Sequence, residues 1–68
     1  MEFHAEAMDA KQAFRTLKAE ERTLVSLAVF GGYKSREIGE ILRMNPTTVR
    51  SRLKRSLDKM REQMEVSI

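Results

Sequence analysis

The dipeptide Asn45-Pro46 constrains the fold of this chain more than any other feature, because it predicts where a helix begins. Asparagine is a strong N-cap, and proline is favoured at the first helical position, where its missing N–H costs no hydrogen bond. Apolar residues recur at helical spacing just before it, at Ile38, Ile41 and Leu42. The stretch 33–61 therefore predicts a short helix, a turn of three or four residues and a longer helix, which is the pattern of a helix-turn-helix unit.

Small and polar residues predict how the short helix is bounded. Gly31-Gly32 can end a preceding helix and supply the backbone angles needed to leave it. Ser35 is the candidate N-cap, and Glu37 follows one residue too early for a strict capping box. Gly39 lies among the apolar residues, where glycine costs about 1 kcal/mol relative to alanine. We therefore expect another segment of backbone to pass too close to Gly39 for a side chain.

The longer helix has an apolar side and a polar side. Its apolar residues follow at intervals of three and four, and this stripe is expected to face the core: Val49, Leu53, Leu57, Met60 and Met64. The opposite side carries Thr47, Thr48, Ser51, Lys54 and Arg55, with Arg50 and Arg52 on the flanks. The second group is left free to contact a ligand.

Positive charge is concentrated in the same stretch. Residues 33–61 carry nine basic and three acidic side chains, net +6, whereas residues 1–32 have a net charge of −1 and residues 62–68 of −2. Such a cluster supplies phosphate contacts and counterion release, and hence affinity for nucleic acid that falls steeply with salt. The alternative is a solvated basic face on an ordinary helical protein. The turn, the Asn-Pro helix start and the apolar stripe favour DNA binding.

The N-terminal half is predicted to support this unit. Helical spacing of apolar residues predicts a first helix from about Ala5 to Leu17 and a second from Glu20 to Phe30. The second is apolar on nearly every side and should be central and buried. The predicted fold is all-α, a small bundle of four helices containing a helix-turn-helix. It forms one domain over residues 1–68, with frayed ends at 1–4 and 65–68.

The run ERTLVSLAVFGGYKSREIGEILRMNPTTVRSRLKRSLDKMR resembles region 4 of bacterial sigma-70 family sigma factors, particularly the extracytoplasmic-function type. The resemblance covers roughly residues 17 to 61. The matching residues are Glu21-Arg22, Leu24, Leu27, Gly32-Tyr33, Glu37-Ile38, Ile41-Leu42, Thr48-Val49-Arg50-Ser51-Arg52-Leu53 and Arg55. Three positions depart from the family pattern: Gly39 replaces the usual alanine, Arg43 stands where many relatives have glycine, and Ser56 replaces a frequent alanine.

The resemblance implies that the second helix of the unit enters the major groove of a promoter −35 element. It assigns base reading to Arg50, Ser51, Lys54 and Arg55. Contacts with DNA phosphates are expected from Tyr33, Ser35, Arg36, Thr47 and Thr48. For Arg52, on the flank, a salt bridge or a phosphate contact is expected rather than base reading, and Arg43 is a candidate for either kind of DNA contact.

The resemblance also implies protein partners, namely the β flap of the RNA polymerase core and an anti-sigma factor. One alternative function is therefore a protein-binding adaptor or inhibitor acting on either of them. A second alternative is a dimeric transcription regulator similar to the LuxR type. The chain is too short to hold the other regions that a working sigma factor needs, so we expect a fragment of a longer sigma factor or a small free-standing relative. Met1 does not decide between these.

Other functional classes have little support in the sequence. There is no cysteine, and the only histidine is His4, in a predicted tail. No nucleophile-base pair, phosphate-binding glycine loop or metal-spaced cluster appears, so we expect no enzyme activity, cofactor, metal or small-molecule substrate. Glu20-Glu21 and Glu37/Glu40 are expected to be ordinary helix-surface acids. No long apolar run or signal peptide is present, which predicts a soluble protein of the bacterial cytoplasm without a membrane partner.

Overall fold

The computed structural model describes residues 9–65, and this part of the chain consists of helices joined by short turns, without a strand. Helix α1 spans Ala10–Arg15, α2 spans Ala19–Val25 and continues as a π-helical turn over Ser26–Phe30, α3 spans Ser35–Leu42, and α4 spans Pro46–Met64. The predicted all-α fold with four helices is confirmed. No helix among these residues is long and apolar enough to span a membrane.

Helix α1 begins later than predicted. The backbone of Asp9 is extended, and its carboxylate accepts a hydrogen bond from the N–H of Gln12 at 2.8 Å, while the Gln12 side chain accepts one from the N–H of Asp9. This reciprocal capping box starts the helix at Ala10 and not at Ala5. Residues 1–8 and 66–68 lie outside the described residues, so the predicted tail 1–4 and all but the first residue of the predicted tail 65–68 are among those not described.

Helix α2 ends as predicted but is less buried than predicted. Gly31 closes its π-helical turn through a hydrogen bond from its N–H to the Ser26 carbonyl at 2.9 Å, and Gly32 leaves the helix with φ +73°. Leu24 and Val25 are buried, whereas Phe30 is 77% exposed. The prediction of a helix buried on nearly every side was therefore wrong for its last turn, because a bundle this small has too few elements to surround one helix completely.

The core lies where α2, α3 and α4 meet. Each of these helices contributes one fully buried apolar side chain, and together these are Leu24, Ile38 and Val49. Burying a side chain of this size is worth about 1.5–3 kcal/mol. Partly buried neighbours pack around them: Leu27, Ala28, Leu42, Met44 and Leu53. The three helices are thus held in one fixed arrangement, with α1 packed along α4.

The buried side of α4 differs from the predicted apolar stripe. Val49 is buried as predicted, but Leu57 and Met64 are each 39% exposed, and Ser56 is fully buried. The Ser56 hydroxyl donates to the Arg52 carbonyl of its own helix at 2.8 Å, so it leaves no unpaired polar group in the core. Arg52 and Lys59 pair with Glu20 and Glu21 of α2, which places α2 on the side of α4 that carries Ser56 and leaves Leu57 facing solvent.

Candidate nucleic-acid interface

A tight turn joins α3 to α4. Arg43 has left-handed backbone angles, φ 58° and ψ 50°, and the N–H of Met44 donates to the Gly39 carbonyl at 2.8 Å. A Cβ on Gly39 would lie 2.5 Å from the Met44 carbonyl oxygen. The prediction that backbone passes too close to Gly39 for a side chain is confirmed. The close approach fixes the direction in which the chain enters α4.

Helix α3 starts one residue earlier than predicted. Its N-cap is Lys34, which has an extended backbone, and Glu37 is therefore the third helical residue. The Glu37 carboxylate accepts from the Lys34 N–H at 2.8 Å, which is the reach-back half of a capping box. Ser35, predicted as the N-cap, is instead the first helical residue. The first N–H groups of a helix have no partner within it and favour anions, so this end is suited to a phosphate.

Helix α4 starts where the sequence predicts. The Asn45 side chain accepts from the N–H of Thr47 at 2.8 Å, and Pro46 is the first helical residue. Thr47 is exposed, while Thr48 is only half-exposed. The first turn of α4 therefore combines a helix N-terminus with threonine hydroxyls, both of which can donate hydrogen bonds to phosphate oxygens.

All four predicted base-reading side chains lie on the exposed side of α4, namely Arg50, Ser51, Lys54 and Arg55. Lys54 is 3.4 Å from Asp58 one turn later, but the lysine side chain is 79% exposed. A pair this long and this exposed holds the lysine only weakly. Asp58 makes its shorter contact, 2.7 Å, with Arg61. The arginine and lysine heads of this face remain accessible to a ligand.

On one flank, this face continues onto the start of α3. A shallow depression is lined by Lys34, Ser35, Arg36, Glu37 and Arg50. The depression brings Ser35 and Arg36, which are predicted to bind phosphates, next to Arg50, which is predicted to read bases. Lys34 was missed in the sequence analysis, although a basic residue beside a predicted helix start was a usable signal. The nearby Tyr33 ring is partly exposed and lies over Gly31, where an added Cβ would be 2.7 Å from the ring.

On the other flank, two acidic residues of α2 pair with two bases of α4. The Glu20 carboxylate is 2.8 Å from the Arg52 guanidinium, and the Glu21 carboxylate is 3.1 Å from the Lys59 ammonium. The expected salt bridge of Arg52 is therefore present. Glu20 and Glu21 were wrongly interpreted as ordinary surface acids, since each of them joins α2 to α4.

Glu21 has a second role at the start of α2. Its carboxylate also accepts a hydrogen bond from the backbone N–H of Lys18 at 2.8 Å. That backbone hydrogen bond, and next the hydrogen bond from Lys59, lower the pKa of Glu21 below its ordinary value of 4.5. Both contacts favour the charged carboxylate, so Glu21 is ionised and fixed in place at neutral pH.

A shallow cleft lies between these two helices. Its lining is Lys18, Glu20, Glu21, Leu24, Arg52 and Arg55. The predicted base-reading Arg55 thus lies on the α2 side of α4, whereas Arg50 lies on the α3 side. Among residues 9–65, no group of three or more His, Cys, Asp or Glu side chains is arranged to hold a metal ion.

Comparison with known protein families agrees with this geometry. The model of the family described as Sigma-70, region 4 matches residues 7–60, which is most of the chain. Comparison with curated proteins and with solved structures gave no significant match.

Proposed function

Because the chain belongs to the Sigma-70, region 4 family, we propose that it binds duplex promoter DNA by placing α4 in the major groove of a −35 element. Domains of this family bind DNA in transcription initiation and are not enzymes. The observation that carries the proposal is the exposed polar side of α4, on a helix whose start is fixed by the Gly39–Met44 turn. A recognition helix held this way presents its N-terminal half to the base edges.

Base reading is proposed for the four exposed residues Arg50, Ser51, Lys54 and Arg55. The two arginines are suited to bidentate hydrogen bonds with O6 and N7 of guanine, each worth about 1–3 kcal/mol of discrimination. Arg50 and Arg55 lie on opposite flanks of α4, so they would contact different base pairs. Ser51 and Lys54 lie between them.

Phosphate binding is proposed for the residues around the two helix starts. Tyr33, Ser35 and Arg36 surround the beginning of α3, with Lys34 beside them, and Thr47 and Thr48 belong to the first turn of α4. These contacts would set the register of the domain on DNA without reading its sequence. Arg52 is also proposed to bind a phosphate. Because Arg52 is paired with Glu20 in the free protein, a phosphate would have to replace Glu20 as its partner.

The wider setting that we propose is a bacterial sigma factor of the extracytoplasmic-function type, either as part of a longer chain or as a small relative. Domains of this family bind RNA polymerase as well as promoter DNA. We propose the β flap as the contacted part of the polymerase, and an anti-sigma factor as a further partner.

A second candidate function is protein binding alone, as an adaptor or inhibitor. The observation that favours it is the pair of neighbouring apolar side chains Val29 and Phe30 at the end of α2, both largely exposed. Exposed apolar surface of this kind is common at protein interfaces. An adaptor of this kind would not need four exposed polar side chains on α4, so the DNA-binding function has the stronger support.

The test is selection of bound duplexes from a random DNA pool by the purified chain at two salt concentrations. Enrichment of one short asymmetric site would support a monomeric reader of a −35 element. A palindrome would favour a dimeric regulator similar to the LuxR type. No enrichment, with binding lost at the higher salt, would favour the adaptor. The Arg50→Ala variant is the control, since it should lose part of the selected motif.

A further inference from the structure

Glu20 lies at one edge of the exposed side of α4 that carries Arg50, Ser51, Lys54 and Arg55. Glu20, in the first turn of α2, places its Oε2 atom 2.8 Å from Nη1 of Arg52. We propose that Glu20 competes with DNA phosphates for Arg52 and thereby lowers the affinity of the domain for DNA of every sequence. The inference rests on the proposed function, because it concerns the same DNA-binding surface.

The geometry supports direct competition. A carboxylate oxygen and a phosphate oxygen accept the same charge-assisted hydrogen bond from a guanidinium group. While Glu20 accepts a hydrogen bond from Nη1 of Arg52, that N–H is not available to DNA, and the carboxylate charge offsets the positive charge that attracts a phosphate to the remaining guanidinium N–H groups. The Glu20 side chain is 57% exposed and the Arg52 side chain 45% exposed, so a phosphate has access to the pair. Exposed ion pairs are weak and salt-sensitive, which makes the exchange feasible.

The neighbouring acid, Glu21, is not equivalent. It caps the start of α2 through the Lys18 N–H and pairs with Lys59, and its side chain is only 19% exposed. Replacing Glu21 would therefore disturb the packing of α2 on α4. Glu20 has Arg52 as its only side-chain partner among the described residues. Its charge can be removed with little effect on the fold.

Arg55 extends the effect beyond one pair. It follows Arg52 by three residues on α4 and lines the same cleft as Glu20. Side chains three residues apart on a helix are neighbours. At low salt the negative charge of Glu20 is therefore felt by both Arg52 and Arg55. The charge of Glu20 would thus weaken the attraction between DNA phosphates and this end of α4 for every sequence.

The test compares Glu20→Gln with the natural chain by fluorescence anisotropy on a selected duplex and a scrambled duplex over a series of salt concentrations. We expect Glu20→Gln to bind both duplexes several-fold more tightly at low salt, with a gain that shrinks as salt rises. The log-log salt slope should steepen by about one, which corresponds to one more neutralised phosphate. Thermal unfolding followed by circular dichroism checks that the variant is folded.

The charge-matched control is Glu65→Gln. Glu65 follows Arg55 by ten residues at the end of α4, which places it about 15 Å away along the helix axis. That separation exceeds the Debye length of about 10 Å at 0.1 M salt, so the two variants are compared at that salt concentration. An equal gain from Glu65→Gln would overturn the inference, because the gain would then reflect net charge alone.

A double-mutant cycle tests whether Arg52 transmits the effect. The gain from Glu20→Gln should largely disappear when Arg52 is replaced by glutamine, and a gain that persists in full would contradict the inference. If the natural chain binds DNA with a steep salt dependence and Glu20→Gln binds identically, only this inference fails. If neither protein binds duplex DNA at low salt, the proposed function fails with it.

Discussion

The carbonyl oxygen of Met44 occupies the space that a side chain on Gly39 would need, since an added Cβ would lie 2.5 Å from it. The same two residues are joined in the other direction by the hydrogen bond from the Met44 N–H to the Gly39 carbonyl, at 2.8 Å. This double contact closes the turn between α3 and α4. It therefore controls the angle at which α4 is presented to a ligand.

We predict that Gly39→Ala destabilises the fold by about 1–3 kcal/mol, because the added methyl group forces the turn to move. Helix propensity alone would give the opposite sign, a gain of about 1 kcal/mol. Urea denaturation measures the difference. Ser51→Ala, at an exposed site in α4, is the control and should change stability by less than about 0.5 kcal/mol. A more stable Gly39→Ala variant would contradict the close approach.

A substitution at Arg43, in the same turn, is expected to stabilise the fold. Its φ of 58° is unfavourable for a residue with a β-carbon, so Arg43→Gly should stabilise the fold by about 1 kcal/mol. Arg43→Ala removes the same charge but keeps the β-carbon, and should leave stability nearly unchanged. Parallel denaturation of the two variants separates backbone strain from charge. Equal stability of both variants would rule out strain at Arg43.

The hydrogen bonds that Glu21 accepts from the Lys18 backbone N–H and from Lys59 predict a pH dependence. The pKa of Glu21 is lowered in the folded protein, so its stabilising contribution is present above the unfolded-state value near 4.5 and is lost as pH falls through the lower folded value. The free energy of unfolding should therefore decrease as pH falls below about 5. Glu21→Gln should show a smaller decrease. Parallel pH profiles for the two proteins would contradict this assignment.

The rotation of α4 predicts an unexpected ranking of two substitutions. Ser56 is fully buried and Leu57 is 39% exposed. Ser56→Leu should cost about 1–3 kcal/mol by overpacking the core, whereas Leu57→Ala should cost less than a typical core truncation of about 2–5 kcal/mol. Ser56→Ala is the matched control and should be nearly neutral or slightly stabilising, since the hydroxyl bonds only to its own helix. Thermal denaturation gives the ranking.

Two arginines predict different kinds of binding defect. Arg55→Ala should relax sequence preference and weaken binding to a selected site by about 1–3 kcal/mol. Arg36→Ala should weaken binding to all sequences about equally and reduce the salt slope by about one. Titration of each variant against selected and scrambled duplexes distinguishes the two. Equal losses on both duplexes for Arg55→Ala would remove it from the base-reading group.

The sequence by itself determined those features whose cause lies within a few residues. The start of α4 follows from the capping chemistry of Asn45 and Pro46, and the end of α2 follows from Gly31 and Gly32. The crowding at Gly39 was predictable because glycine is less stable than alanine inside a helix. A glycine on an apolar helix face therefore indicates a position where a side chain has no room. The exposed side of α4 also followed, since a helix with one apolar side presents its polar side to solvent.

Only the tertiary structure decided which helices meet and at what rotation. Glu20 and Arg52 are 32 residues apart, and Glu21 and Lys59 are 38 apart, so no local pattern predicts their pairing. The burial of Ser56 in place of Leu57 likewise depends on the side from which α2 packs on α4. Periodicity predicts that a helix has a buried side, but the boundary of that side is set by the neighbouring helices, because they determine which side chains lose contact with water.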